Sequence, residues 1–171
     1  MKTIKYVLSS FMVFALLVNC GGGEKKKEES SNKIQLKATD TKKEADDNVA
    51  NIVITANDQM QYNLKEIKVK AGQKVKVTLR HIGVLDKNVM GHNFVILKPG
   101  VKMADFAAKA STEKANDYIP EGTQDVIAHT KLIGGGETTS IEFEAPPVGT
   151  YTFMCSFPAH FAMMNGKFIV E

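Results

Sequence analysis

The chain from Asn51 onward alternates in a way that strands explain. Val75, Val77 and Leu79 interleave with Lys74, Lys76, Thr78 and Arg80. This strict period of two predicts a strand with one buried face. Ile141-Glu142-Phe143 alternates again and stops at Pro146-Pro147. Ile52-Val53-Ile54, the set Leu64, Ile67 and Val69, Tyr151-Thr152-Phe153 and Lys167-Phe168-Ile169-Val170 read as further strands. Phe94-Val95-Ile96-Leu97 is a continuous apolar run closed by Lys98-Pro99-Gly100. The period changes between Val101 and Ala115, where Met103, Phe106, Ala107 and Ala110 recur at three- and four-residue spacing. That spacing predicts one short helix. The pattern as a whole predicts an all-β sandwich or barrel with one helical insertion.

The front of the chain is patterned differently. Lys2 and Lys5 precede an almost wholly apolar stretch from Tyr6 to Val18, broken by Ser9 and Ser10. It is too short to span a bilayer stably and has the layout of an export signal. It runs into Leu17-Val18-Asn19-Cys20-Gly21, which resembles a bacterial lipoprotein box, with an apolar residue three positions before a Cys that becomes lipidated. Asn19 departs from the small residue preferred before that Cys. Residues 20–50 carry seven Lys and seven acids, with Ile34, Leu36 and Val49 as apolar exceptions. Such a stretch buries too little surface to offset its ordering entropy and is expected to be a disordered tether. The expected organisation is therefore a signal over residues 1–19, a tether over 20–50 starting at a lipidated Cys20, and a folded domain over 51–171. It implies an exported protein, lipid-anchored on the periplasmic side of a membrane or at the cell surface.

Composition narrows the picture further. The 171 residues are 43% hydrophobic and 24% charged, which excludes disorder throughout. The net charge of +3 lies mostly in the front end: residues 51–171 carry 13 Lys and Arg against 12 Asp and Glu. A near-neutral domain has no electrostatic footprint for nucleic acid. Cys20 and Cys155 are the two cysteines, so the folded domain cannot hold an internal disulfide.

The chemistry is concentrated near the C-terminus. Cys155-Ser156-Phe157-Pro158-Ala159-His160-Phe161-Ala162-Met163-Met164 sets a thiol, an imidazole and a thioether on one turn between two predicted strands. Soft sulfur with imidazole suits copper. A trigonal site needs a second His, and His81, His92 and His129 are the candidates. His92 opens the apolar run, and Gly91 before it leaves its carbonyl free to approach a metal. Singly, such residues are ordinary core or surface positions. In an exported domain an unpaired thiol is a liability unless something occupies it.

The chain from about Asn51 to Glu171 resembles the azurins, small blue copper proteins of the cupredoxin fold. The resemblance is carried by Asn57-Asp58-Gln59-Met60-Gln61-Tyr62-Asn63, by Lys87-Asn88-Val89-Met90-Gly91-His92-Asn93, by Val126-Ile127-Ala128-His129-Thr130-Lys131-Leu132-Ile133-Gly134, and by the Cys155–Met164 turn. It implies an eight-stranded Greek-key β-sandwich with copper near one end. It implies His92, Cys155 and His160 as equatorial ligands, with Met164 and the Gly91 carbonyl as weak axial neighbours. His81 falls at a buried, non-ligand position and His129 at an exposed one. Asn93 is expected to brace the ligand loops and Phe157 to supply an amide near the sulfur. Met60, Leu85, Val89, Met90, Pro158, Ala159, Ala162 and Met163 are expected to form an apolar docking patch around an exposed edge of His160. Two departures stand out: the azurin disulfide is missing, worth roughly 2–4 kcal/mol of stability, and Phe94 stands where azurins often bury a Trp.

These expectations describe a monomeric electron carrier cycling one copper ion between Cu(I) and Cu(II), and not an enzyme. Its partners would be redox proteins such as c-type cytochromes or terminal reductases and oxidases, met transiently. A copper storage or delivery protein is the alternative. A multicopper enzyme would need more than the four His present, and a structural zinc site would not account for an axial Met.

Overall fold

The computed structural model describes residues 48–171. The signal, Cys20 and nearly all of the tether lie outside the described residues. Among the described residues, nine strands form two sheets. The first sheet has the order β2-β1-β4-β7, from β1 (Val49–Asn57), β2 (Gln61–Tyr62), β4 (Lys74–His81) and β7 (Thr138–Glu144). The second has the order β3-β9-β8-β5-β6, from β3 (Glu66–Val69), β5 (Val95–Leu97), β6 (Val126–His129), β8 (Gly149–Met154) and β9 (Asn165–Val170). The sandwich class is the one the pattern predicts. The count differs from eight, and the two-residue β2 is too short for any periodicity to reveal. β1 opens at Val49, two residues before the boundary that composition suggests.

β4 lies parallel to β1 and antiparallel to β7. Its alternation puts Val75, Val77 and Leu79 wholly inside, and the next inward position is His81. That histidine is buried because the strand's period places it there. Ile54, Ala56, Ile67, Val69, Phe153, Phe168 and Val170 belong to this first core.

The run at 94–97 reads as continuous because it is covered on both faces. Phe94 and Ile96 enter the first core, while Val95 and Leu97 enter a second one. The second core is closed by helix α2 (Met103–Ala110) through Phe106, Ala107 and Ala110. The helix is shorter than its apolar spacing suggests. The Ser111 and Thr112 hydroxyls turn back to the carbonyls of Ala108 and Lys109 at 2.7 and 3.1 Å. Such back-bonding competes with helix propagation. A separate 3-10 turn follows at Lys114–Asn116.

Candidate metal centre

Two loops bring the donors together at one end of the sandwich. The first connects β4 to β5. Asp86 caps a single helical turn, α1 (Lys87–Met90), by accepting the Asn88 amide at 2.8 Å. Gly91 follows in an extended conformation. A Cβ there would lie 2.5 Å from the Lys87 carbonyl oxygen and 3.0 Å from both Leu132 Cδ2 and Phe157 Cδ2. Glycine is thus required by crowding rather than by backbone dihedrals. His92 is then held by a two-way backbone bridge to Ile133, 2.9 Å in each direction.

The second loop joins β8 to β9. Cys155 leaves β8 with its amide donating to the Met164 carbonyl at 2.9 Å, which closes the turn on itself. Ala159 adopts a left-handed conformation (φ 67°) before a 3-10 turn, His160–Ala162. The Lys65 ammonium ties the turn to the second sheet by donating to the Met163 carbonyl at 2.6 Å.

Cys155 Sγ lies 3.9 Å from His92 Nδ1 and 3.7 Å from His160 Nδ1, with the Gly91 carbonyl oxygen at 3.9 Å. The three donor atoms all fall within 4.8 Å of one another, and all three residues are buried. A planar trigonal site with thiolate and imidazole bonds of about 2.3 and 2.0 Å has a sulfur–nitrogen edge of about 3.7 Å. The observed edges match that requirement, so one ion fits all three donors. Soft sulfur with two imidazoles in a trigonal set suits copper. His92 Nε2 meets the Asn57 carbonyl at 2.9 Å, which fixes the proton there and leaves Nδ1 free to ligate.

Burial sets the protonation of the metal-free site. It pushes the His92 and His160 rings down to about 4, and the neighbouring His81 adds to both shifts. It pushes the Cys155 thiol up to about 11, opposed by the backbone amides of Asn93 and Phe157. The rings are therefore ready to ligate at neutral pH, while the thiol must give up a proton to do so.

The remaining predicted residues are placed as follows. Met164 is fully buried and Met163 is 48% exposed. Asn93 is buried and bridges the two loops through Ser156. Leu85 and Val89 are exposed and Met60 and Met90 half-buried, while Ala159 and Ala162 are exposed around half-buried Pro158. His160 keeps only 3% of its surface, with Phe157 packed on its ring at 4.6 Å, so any exposed edge is narrow. His129 is exposed, facing Val95 across the β5–β6 ladder. His81 stacks on His92 at 4.5 Å; its Nδ1 accepts the Gly83 amide at 3.0 Å and its Nε2 meets the Met90 carbonyl at 2.9 Å.

Sequence reasoning missed several supports. Ile82 and Val84 extend the exposed apolar loop beside Leu85, Val84 at 88% exposure. Asp58 pins that loop, its carboxylate accepting the Val84 and Leu85 amides at 2.8 and 3.3 Å. Tyr62 places a buried hydroxyl on the Asn93 carbonyl.

A two-sheet sandwich that closes a Cys and two His around one metal point defines a cupredoxin-type copper site. Residues 48–171 match the family described as copper binding proteins, plastocyanin/azurin family. An azurin of Achromobacter denitrificans is 44% identical over 117 residues, covering 66% of this chain and 78% of that protein. The outer membrane protein H.8 of Neisseria gonorrhoeae is 43% identical over 118 residues, covering 67% of this chain and 63% of that one. The solved structure of auracyanin A, a "blue" copper protein from Chloroflexus aurantiacus, superposes with a TM-score of 0.66 at 29% identity, over 72% of this chain and 99% of that one. The chain belongs to the plastocyanin/azurin family of copper-binding proteins, and its role is copper-based electron transfer.

Proposed function

We propose that this protein is a mobile one-electron carrier working outside the cytoplasm, with His92, Cys155 and His160 as the ligands of a type 1 blue copper centre. The observation that carries this reading is the sulfur of buried Cys155 facing the Nδ1 atoms of two buried histidines at 3.7 and 3.9 Å. Met164 and the Gly91 carbonyl would stand as weak axial neighbours. Copper, when bound, supplies the one-electron couple. The chain's contribution is rigidity: Asn57 and Ile133 hold His92, the closed turn holds His160, and Asn93 locks the two loops together. Donors that cannot move favour one arrangement for both oxidation states, so little reorganisation opposes transfer.

A carrier suits this geometry better than a storage or delivery protein. All three donors are buried, and exchange of an ion would require the braced loops to part. Catalysis is not part of the proposed role: with three donors and two weak axial neighbours, a bound ion would offer no position to a substrate. Redox proteins such as c-type cytochromes or terminal reductases and oxidases would dock on the apolar loops around His160. Lipidation of Cys20 would hold the protein on a membrane, a reading supported by the similarity to an outer membrane protein of N. gonorrhoeae. Cys20→Ala would then release it to the soluble fraction.

The test is the visible spectrum of the copper-loaded protein. An intense blue thiolate-to-copper band is expected, and Cys155→Ser should abolish it while the far-UV spectrum stays that of a β-protein. Colour that survives the substitution would refute the ligand assignment.

A further inference from the structure

Tyr62 is only 5% exposed, and its ring packs in the first core with its centroid 5.8 Å from that of Phe153. A phenylalanine would fill the same space. Burying a hydroxyl is costly unless it is bonded, and here it is bonded to one particular acceptor: it donates to the Asn93 carbonyl oxygen.

The Asn93–Phe94 peptide is gripped at both ends by side-chain hydroxyls. Tyr62 takes its carbonyl, and Thr130 Oγ1 accepts its N–H at 2.9 Å. This peptide directly follows His92 and Asn93. The Asn93 backbone amide favours the Cys155 thiolate, and the Asn93 side chain takes hold of Ser156, the residue after Cys155, on the opposite loop. The hydroxyl therefore acts through Asn93, as the clamp that keeps this peptide in place between the two ligand loops. Hydrogen bonding to a metal-bound thiolate withdraws electron density from sulfur, which favours the reduced ion.

We propose that Tyr62 is a positioning residue of the copper centre, whose hydroxyl holds the Asn93 peptide against the Cys155 sulfur and thereby raises the reduction potential. This rests on the ligand assignment proposed above.

The test is Tyr62→Phe in the full chain, with three readouts. Voltammetry of the copper-loaded protein should show a lower potential. The visible spectrum should keep an intense blue band at a shifted position. In the metal-free protein, amide exchange at Asn93 and Phe94 should quicken about tenfold, as expected for the loss of one buried hydrogen bond. Phe153→Leu serves as the packing control: it loosens the ring's neighbour and keeps the hydroxyl, so it should lower stability and leave the potential near the parent's. An unchanged or raised potential in Tyr62→Phe would overturn the proposal, as would an equal fall in both variants. A blue parent with an unmoved potential sinks this inference alone. A parent that binds copper without blue colour sinks the ligand assignment and this inference with it.

Discussion

Asn93 accepts the Ser156 amide through Oδ1 at 2.9 Å and donates through Nδ2 to the Ser156 hydroxyl at 2.8 Å. The same Nδ2 reaches the Asp117 carbonyl at 2.8 Å. Asn93 follows one proposed ligand in sequence, and Ser156 follows another. A single buried amide thus joins the β4–β5 loop, the β8–β9 turn and the segment after α2.

Asn93→Ala should break that junction. It leaves the buried Ser156 amide and the Asp117 carbonyl without these partners, at a cost of roughly 2–4 kcal/mol. Urea unfolding of the metal-free protein measures the loss. The copper-loaded variant should also show a shifted and weakened blue band, because the two loops no longer share one geometry. An unfolding midpoint equal to the parent's would mean that water replaces the amide without loss.

The stability of the metal-free protein should peak on a plateau between about pH 6.5 and 9. The His92 and His160 rings titrate near 4 when folded and at an ordinary value of 6.5 when unfolded. Between those values the unfolded chain binds more protons, so stability falls as pH drops from 6.5 towards 4. The Cys155 thiol titrates near 11 when folded against an ordinary 9.0. Above pH 9 the unfolded chain loses that proton first, so stability falls again as pH rises towards 11. Asp58 and Asp86 have lowered values, so their contribution fades only below the acid edge of this window. Urea midpoints across pH 4–11 check the profile: Cys155→Ala should remove the fall that begins near pH 9 and leave the acid limb alone, while Tyr62, held well above its usual 10.0 by burial, keeps a fall above pH 10.

Much of this centre is legible in the residues, for physical reasons that particular positions make plain. β4 shows its period because one face meets the core and the other meets water. Cys155, His160 and Met164 can be grouped because their donor chemistry is rare and their spacing confines them to one turn. β6 is illegible by periodicity because Val126, Ile127 and Ala128 are all half-buried at a sheet edge. The carbonyl of Asn57 orients His92, but a backbone oxygen carries no residue-type signal. Tyr62 looks like a core aromatic in the sequence, and only the folded chain, 31 residues later, brings Asn93 to its hydroxyl.

Met164→Gln should lower the reduction potential while blue colour largely persists. An amide oxygen is a harder donor than a thioether and favours Cu(II) over Cu(I). Met164 is fully buried behind the ligand turn, whereas Met163 is 48% exposed. Met163→Gln should therefore leave the potential where it was. Voltammetry of the pair decides the matter: a shift confined to Met163→Gln would reassign the axial neighbour.

Ala162→Lys tests where electrons leave. His160 is almost enclosed, so a partner must approach through the apolar side chains around it. The resemblance to azurins implies that Leu85, Val89 and Met90 lie around that ring; Leu85, Val89 and Met163 are exposed and Met90 half-buried, with Ala162 on the turn that carries His160. Such a surface suits brief contacts with several partners, because methionine repacks and exposed apolar groups gain by leaving water. A transient redox contact of this kind should bury less than about 1,200 Å² in total. The domain is nearly neutral, so encounter rates should depend little on salt. A lysine at 162 brings a charge that must shed water on docking, which is costly without a partner. Self-exchange and stopped-flow transfer to a c-type cytochrome should slow about tenfold, the equivalent of roughly 1.4 kcal/mol. The blue band and the potential should barely change, since no donor is touched. Unchanged transfer rates would move the docking face away from His160, and a matched substitution at exposed His129 on β6 would show whether electrons leave there instead.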